Sequence, residues 1–124
     1  MGALTDARTA VADDLAAVFP AYKVYAWIPG APVVPCVIVS PDDQPLEVLG
    51  YGRYGYRLKV SVVSNAQTAT AAAVAALEDD LELLAEWAGP TANDLEIGPA
   101  RFGDSTVFAV GLSLLVPVNI PAPV

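Results

Sequence analysis

Residues Gly55–Trp87, GYRLKVSVVSNAQTATAAAVAALEDDLELLAEW, decide the fold. The first part alternates. Tyr56, Leu58, Val60 and Val62 fall on one face of a strand, and Arg57, Lys59, Ser61 and Val63 fall on the other. After a short polar break, Val74, Leu77, Leu81, Leu84 and Ala88 recur at steps of three and four, the stripe of an amphipathic helix. A β-strand followed by a well-patterned helix is the scaffold beside which the other elements pack.

Upstream of the scaffold, Leu4 or Thr5 to Val18 has a helical stripe of Leu4, Val11, Leu15 and Val18. Phe19-Pro20 ends it, because proline disfavours a helical conformation at the preceding residue. AYKVYAWI, residues 21–28, alternates as a strand and stops at PGAP, residues 29–32. Val33–Ser40 is the next strand, and Pro35 makes it begin late or lie at a sheet edge. PDDQP, residues 41–45, reads as a turn, and Glu47–Leu49 as a hairpin arm. GYGRYGY, residues 50–56, is too glycine-rich for a central strand and reads as an exposed loop or hairpin tip.

Downstream, AGPTAND breaks the chain. Leu95–Phe102 and Thr106–Val116 follow as a terminal hairpin around a Gly103-Asp104 turn. The expected order is α-β-β-β-α-β-β. It describes one α+β domain over residues 1–116, a largely antiparallel sheet with two helices on one face. The Pro-rich residues 117–124 form an extended C-terminal arm.

Composition bounds the chemistry. The 124 residues contain no His and a single Cys, Cys36. That removes Ser-His-Asp and Cys-His nucleophile systems, the common zinc sites and any internal disulfide. Cys36 reads as a small buried hydrophobe within its strand, and Trp27 and Trp87 as core or sheet-flank residues. The longest apolar runs fall short of the ~20 residues of a membrane-spanning helix, and the start of the chain is acidic, unlike a signal peptide. A soluble protein made in the cytoplasm is expected.

Mean hydropathy is +0.49, with 55% hydrophobic residues, an apolar excess that fits burial against partners. The net charge of −8 argues against a phosphate-gripping nucleic-acid binder. It is lopsided: residues 1–62 hold five basic and six acidic residues, whereas residues 63–124 hold only Arg101 against eight acids.

Two stretches carry the candidate functional residues. Glu78, Asp79, Glu82 and Glu86 lie opposite the leucine stripe, with Asp80 at its flank. The like-charge pairs at four-residue spacing cost ~0.2–0.5 kcal/mol each, and they crowd toward the helix end where the macrodipole prefers cations. This face is either solvated surface or an electrostatic one, pairing with basic groups of a neighbour or repelling DNA. The second stretch holds Tyr51, Arg53, Tyr54 and Tyr56, with Arg57 beyond, residue types that anchor interfaces. The alternative is a hairpin with its aromatics folded back on the sheet. Its glycines lack the Lys and Ser/Thr of a phosphate loop. Neither EDDLE nor SPDDQP has the ligand spacing and glycine of a calcium loop. No catalytic residue, metal or cofactor is expected.

The chain resembles the tail terminator proteins of long, non-contractile-tailed bacteriophages. The resemblance rests on LTDARTAVADDLAAV, WIPGAPVVPCVIVSP, GYGRYGYRLKVSVVS, TAAAVAALEDDLELLAEW and TVFAVGLSLLVPV, which together span most of the sequence. It implies a non-enzymatic virion protein at the head–tail interface. Such a protein forms a hexameric ring on the last ring of tail-tube subunits, stops tube growth and presents a surface to the head-side connector. Genomic DNA would pass through its lumen without specific binding. Two alternatives stand beside it: another head–tail neck or connector-completion protein, and a small ligand-binding domain or carboxylate enzyme.

Overall fold

The computed structural model describes residues 2–28, 33–66, 68, 70–102 and 105–120. Helix α1 (Ala3–Val18) leads to a short strand β1 (Lys23–Tyr25), then β2 (Cys36–Gly50) and β3 (Arg53–Val63). Helix α2 (Ala71–Ala88) and one 3-10 turn follow, before β4 (Ala92–Phe102) and β5 (Ser105–Asn119). The five strands form one sheet in the order β1-β2-β3-β5-β4, with β1 parallel to β2 and every other pair antiparallel. This is the α+β domain that the alternation and helical spacing require.

The core forms where the alternating face of β3 meets both helices. Leu58, Val60 and Val62 are buried beside Val37 and Val39 of β2 and Val110, Leu112 and Leu114 of β5, and their registers place all of them on one face. Helix α1 contributes Val11, Ala12 and Leu15 to this layer, and α2 contributes Leu77 and Leu84. Helix α1 touches β1, β2 and β5, whereas α2 lies over β5 and β4. Thr70 caps α2, its Oγ accepting from the Ala73 amide at 3.2 Å. Gly89, at φ 61° and ψ −142°, ends the helix in a positive-φ conformation that is essentially confined to glycine.

Four expectations change. The eight-residue first strand contracts to Lys23–Tyr25, because its partner β2 begins only after Pro35 and soon reaches Pro41, which has no amide donor to offer. PDDQP does not reverse the chain. It is a bulge inside β2, where residues 42–45 stand against Arg57 alone, between the Pro41–Leu58 and Leu46–Tyr56 pairs. The reversal comes at Tyr51-Gly52, where Gly52 takes φ +71°.

Arg53–Tyr56 belongs to the central strand and not to a loop. Gly55 suits it because a Cβ there would stand 2.6 Å from Leu115 Cδ1, so the glycine leaves room for the neighbouring side chain. The boundary placed at Val116 falls within β5, which runs to Asn119, and the Ile120 amide donates to the Gly52 carbonyl at 2.8 Å. Residues 121–124 and the Gly103-Asp104 turn lie outside the described residues.

Candidate functional surfaces

No residue of the arm from Pro41 to Gly50 is buried. From Pro41 onward β2 leaves the helical cover and runs with the start of β3 to the Tyr51-Gly52 tip, while the end of β5 pairs along the other side of β3. Apolar side chains lie bare on it: Val48 is 74% exposed and Tyr51 94%, with Leu46 and Leu49 also open to solvent. Arg53 is exposed and Tyr54 half-buried. Tyr56 is not part of this surface. It is buried in the main core, so its expected role as an interface anchor gives way to packing. Arg57 is already engaged within the chain, its Nη2 lying 3.2 Å from Glu47 Oε2. Both side chains are well exposed, so the pair adds little stability.

The helix-free face of the sheet carries a charged groove of about 540 Å³. The β2 bulge forms one wall with Asp42, Asp43 and Glu47, and Asp94 stands on the other side. Asp94 belongs to a second bulge, in β4 between Asn93 and Glu96, and holds a left-handed φ of 54°. Asp42 is fixed: its carboxylate accepts from Ser113 Oγ at 3.2 Å and from the Asp43 amide at 2.8 Å. Among the described residues, no three His, Cys, Asp or Glu side chains come together as a metal site. An open groove with charged walls also lacks the apolar enclosure of a small-molecule pocket.

On α2, Glu78, Asp79, Glu82 and Glu86 are exposed along the outer face. Asp80 is different. It accepts from the Tyr22 hydroxyl at 3.0 and 3.2 Å, tying α2 to the segment that follows α1. Burial pushes the Asp80 carboxyl up from its ordinary value, as does the Asp79 charge, while the bond from Tyr22 pulls it down. Burial and the Asp80 charge together raise the Tyr22 hydroxyl. Cys36 is a buried free thiol, raised by burial. It belongs to a small second cluster on the helix-free face with Tyr25, Ile38, Val63 and Val107. Trp87 flanks the main core, whereas Trp27 is exposed and meets Tyr25 edge to face.

The acidic helix face and the groove differ in how far local sequence signals reveal them. The acidic helix face follows from helical spacing. The groove is not legible in local signals, because its walls are two bulges brought together across the sheet; its traces in the sequence are PDDQP, which reads as a turn, and TAND, which reads as part of a break. No protein-family model and no curated protein matches the chain. Among the described residues, no helix is long and apolar enough to cross a membrane.

Proposed function

We propose that the protein is a non-enzymatic structural subunit that assembles into a ring, as a tail terminator does, capping the head-proximal end of a phage tail tube and meeting the head-side connector. The observation that carries this reading is the arm. A stretch of β2 that runs on past the buried residues and, with the hairpin tip, bares Val48, Tyr51, Leu46 and Leu49 presents apolar area that a solitary domain would fold away. The arm reaches a neighbouring subunit or the tube, with Arg53 supplying charge and Tyr51 the anchoring contact. The acidic stripe Glu78–Glu86 supports a lumen past which DNA slides without adhering.

Native mass spectrometry with negative-stain imaging tests the proposal. The expected result is an annular hexamer. A protein that stays monomeric at high concentration, and leaves tail-tube polymerisation unaltered when added to it, overturns the proposal. Binding to capsid connectors but not to tail tubes assigns it instead to the neck-completion class.

A further inference from the structure

Two groups of exposed apolar side chains sit at opposite edges of the sheet. At the β1 edge, Trp27, Ile28 and Val33 are each more than half exposed. Two of them meet Tyr25: its ring stands 5.6 Å from that of Trp27, and its hydroxyl accepts from the Val33 amide at 3.1 Å. At the β4 edge, Leu95 and Ile97 are exposed. The charges carried by the edge segments themselves are opposite in sign, with Lys59 of β3 lining the same hollow as Asp94, Leu95 and Glu96. Lys23 is exposed on the first edge, its amine 5.9 Å from the Tyr25 ring, and Asp94 and Glu96 are exposed on the second.

The backbone at both edges is blunted. The Ser64 amide donates to the Phe108 carbonyl at 3.0 Å and the Ile120 amide to Gly52 at 2.8 Å, which sets which residues of β5 bond to β3. Alternation in an antiparallel ladder then turns Pro99, opposite Phe108, so that its missing donor faces the free edge of β4. The same parity turns Pro41, opposite Leu58, outward from β2. Strand addition meets a gap at either edge, so contact between copies falls to the side chains.

We infer that the Trp27–Ile28–Val33 edge of one copy seats against the Leu95–Ile97 edge of the next, with Lys23 facing Asp94 and Glu96. The inference rests on the ring reading above and names the contact that builds the ring. Because the patches lie at opposite edges of one sheet, a single two-fold edge-to-edge contact cannot pair each with the other. Two unlike patches of opposite charge at opposite edges make a head-to-tail contact, which generates a ring when the rotation between successive copies closes.

Val33→Glu and Ile97→Glu test this by native mass spectrometry. Each variant alone is expected at the 12.8 kDa monomer mass, with its apparent Kd raised at least about ten-fold. Mixed together, they are expected to form a heterodimer and nothing larger, because each brings one intact edge. Ile28→Glu and Leu95→Glu form a second pair should either first variant lose its helical circular dichroism. A ring that survives both substitutions overturns the edge contact alone, as does a mixture that recovers no heterodimer. A wild-type chain that never self-associates overturns the edge contact, and the ring reading falls with it when tail-tube polymerisation is also unaltered.

Discussion

Cys36–Ser40 and Pro41–Gly50 are two halves of one strand in opposite environments. In the first half every residue is buried, because α1 covers one face and the Tyr25 cluster covers the other. In the second half no residue is buried, although Leu46, Val48 and Leu49 are as apolar as Val37 and Val39. Hydrophobicity therefore does not separate core from arm in this chain; helical cover does. Apolar side chains in the first half stabilise the fold, and those in the second are free to stabilise an assembly.

The largest effect is expected within the covered half of the molecule. Leu84→Ala removes a fully buried side chain of α2 and should cost about 3 kcal/mol in urea unfolding. Val48→Ala on the arm should change stability by less than about 0.5 kcal/mol. If the two substitutions cost the same, the arm is folded against the body in solution and the contrast fails.

Next in size is the arm tip. Gly52→Ala places a side chain at φ +71°, with the Ile120 carbonyl oxygen 3.4 Å from its Cβ. A loss of about 1 kcal/mol is expected from the left-handed conformation. An unchanged melting temperature would mean that the tip contributes nothing to the cooperative unit.

Tyr22→Phe leaves the half-buried Asp80 carboxylate without its donor and should cost about 1 kcal/mol at pH 7. Asp80→Asn keeps an acceptor for Tyr22 and sharpens the electrostatic side. The folded pKa of Asp80 lies above its unfolded value, so the folded state binds the proton more tightly. Its unfavourable contribution is full at neutral pH and fades as pH falls through the folded pKa toward the ordinary carboxylate range near about 4. Asp80→Asn should accordingly gain most over wild type at pH 7 and least at pH 4 to 5, as read from paired urea melts. A gain that grows on acidification contradicts the assignment.

The smallest effect on stability should come from Arg53→Glu, within about 0.5 kcal/mol for an exposed charge. Its readout is the oligomer, which should weaken if the arm engages a neighbour. An unchanged oligomer mass removes Arg53 from the interface.

Sequence by itself determined the element order, the covered face of β3 and both helical stripes. Each follows from local periodicity: Leu58, Val60 and Val62 alternate, and Leu77 and Leu84 recur at helical spacing. It also located the acidic face of α2 and the exposed Tyr51–Arg53 tip. Tertiary structure decided what local signals leave open. PDDQP has the composition of a turn, yet pairing on either side of it with β3 holds the strand direction and turns it into a bulge. Tyr56 has the chemistry of an interface anchor, yet its register beside Leu58 places it in the core. The groove between the β2 and β4 bulges joins residues some fifty positions apart. The placement of Trp27 and Ile97 near opposite edges is likewise a tertiary matter, because strand order across a sheet is set by long-range pairing that no window of sequence contains.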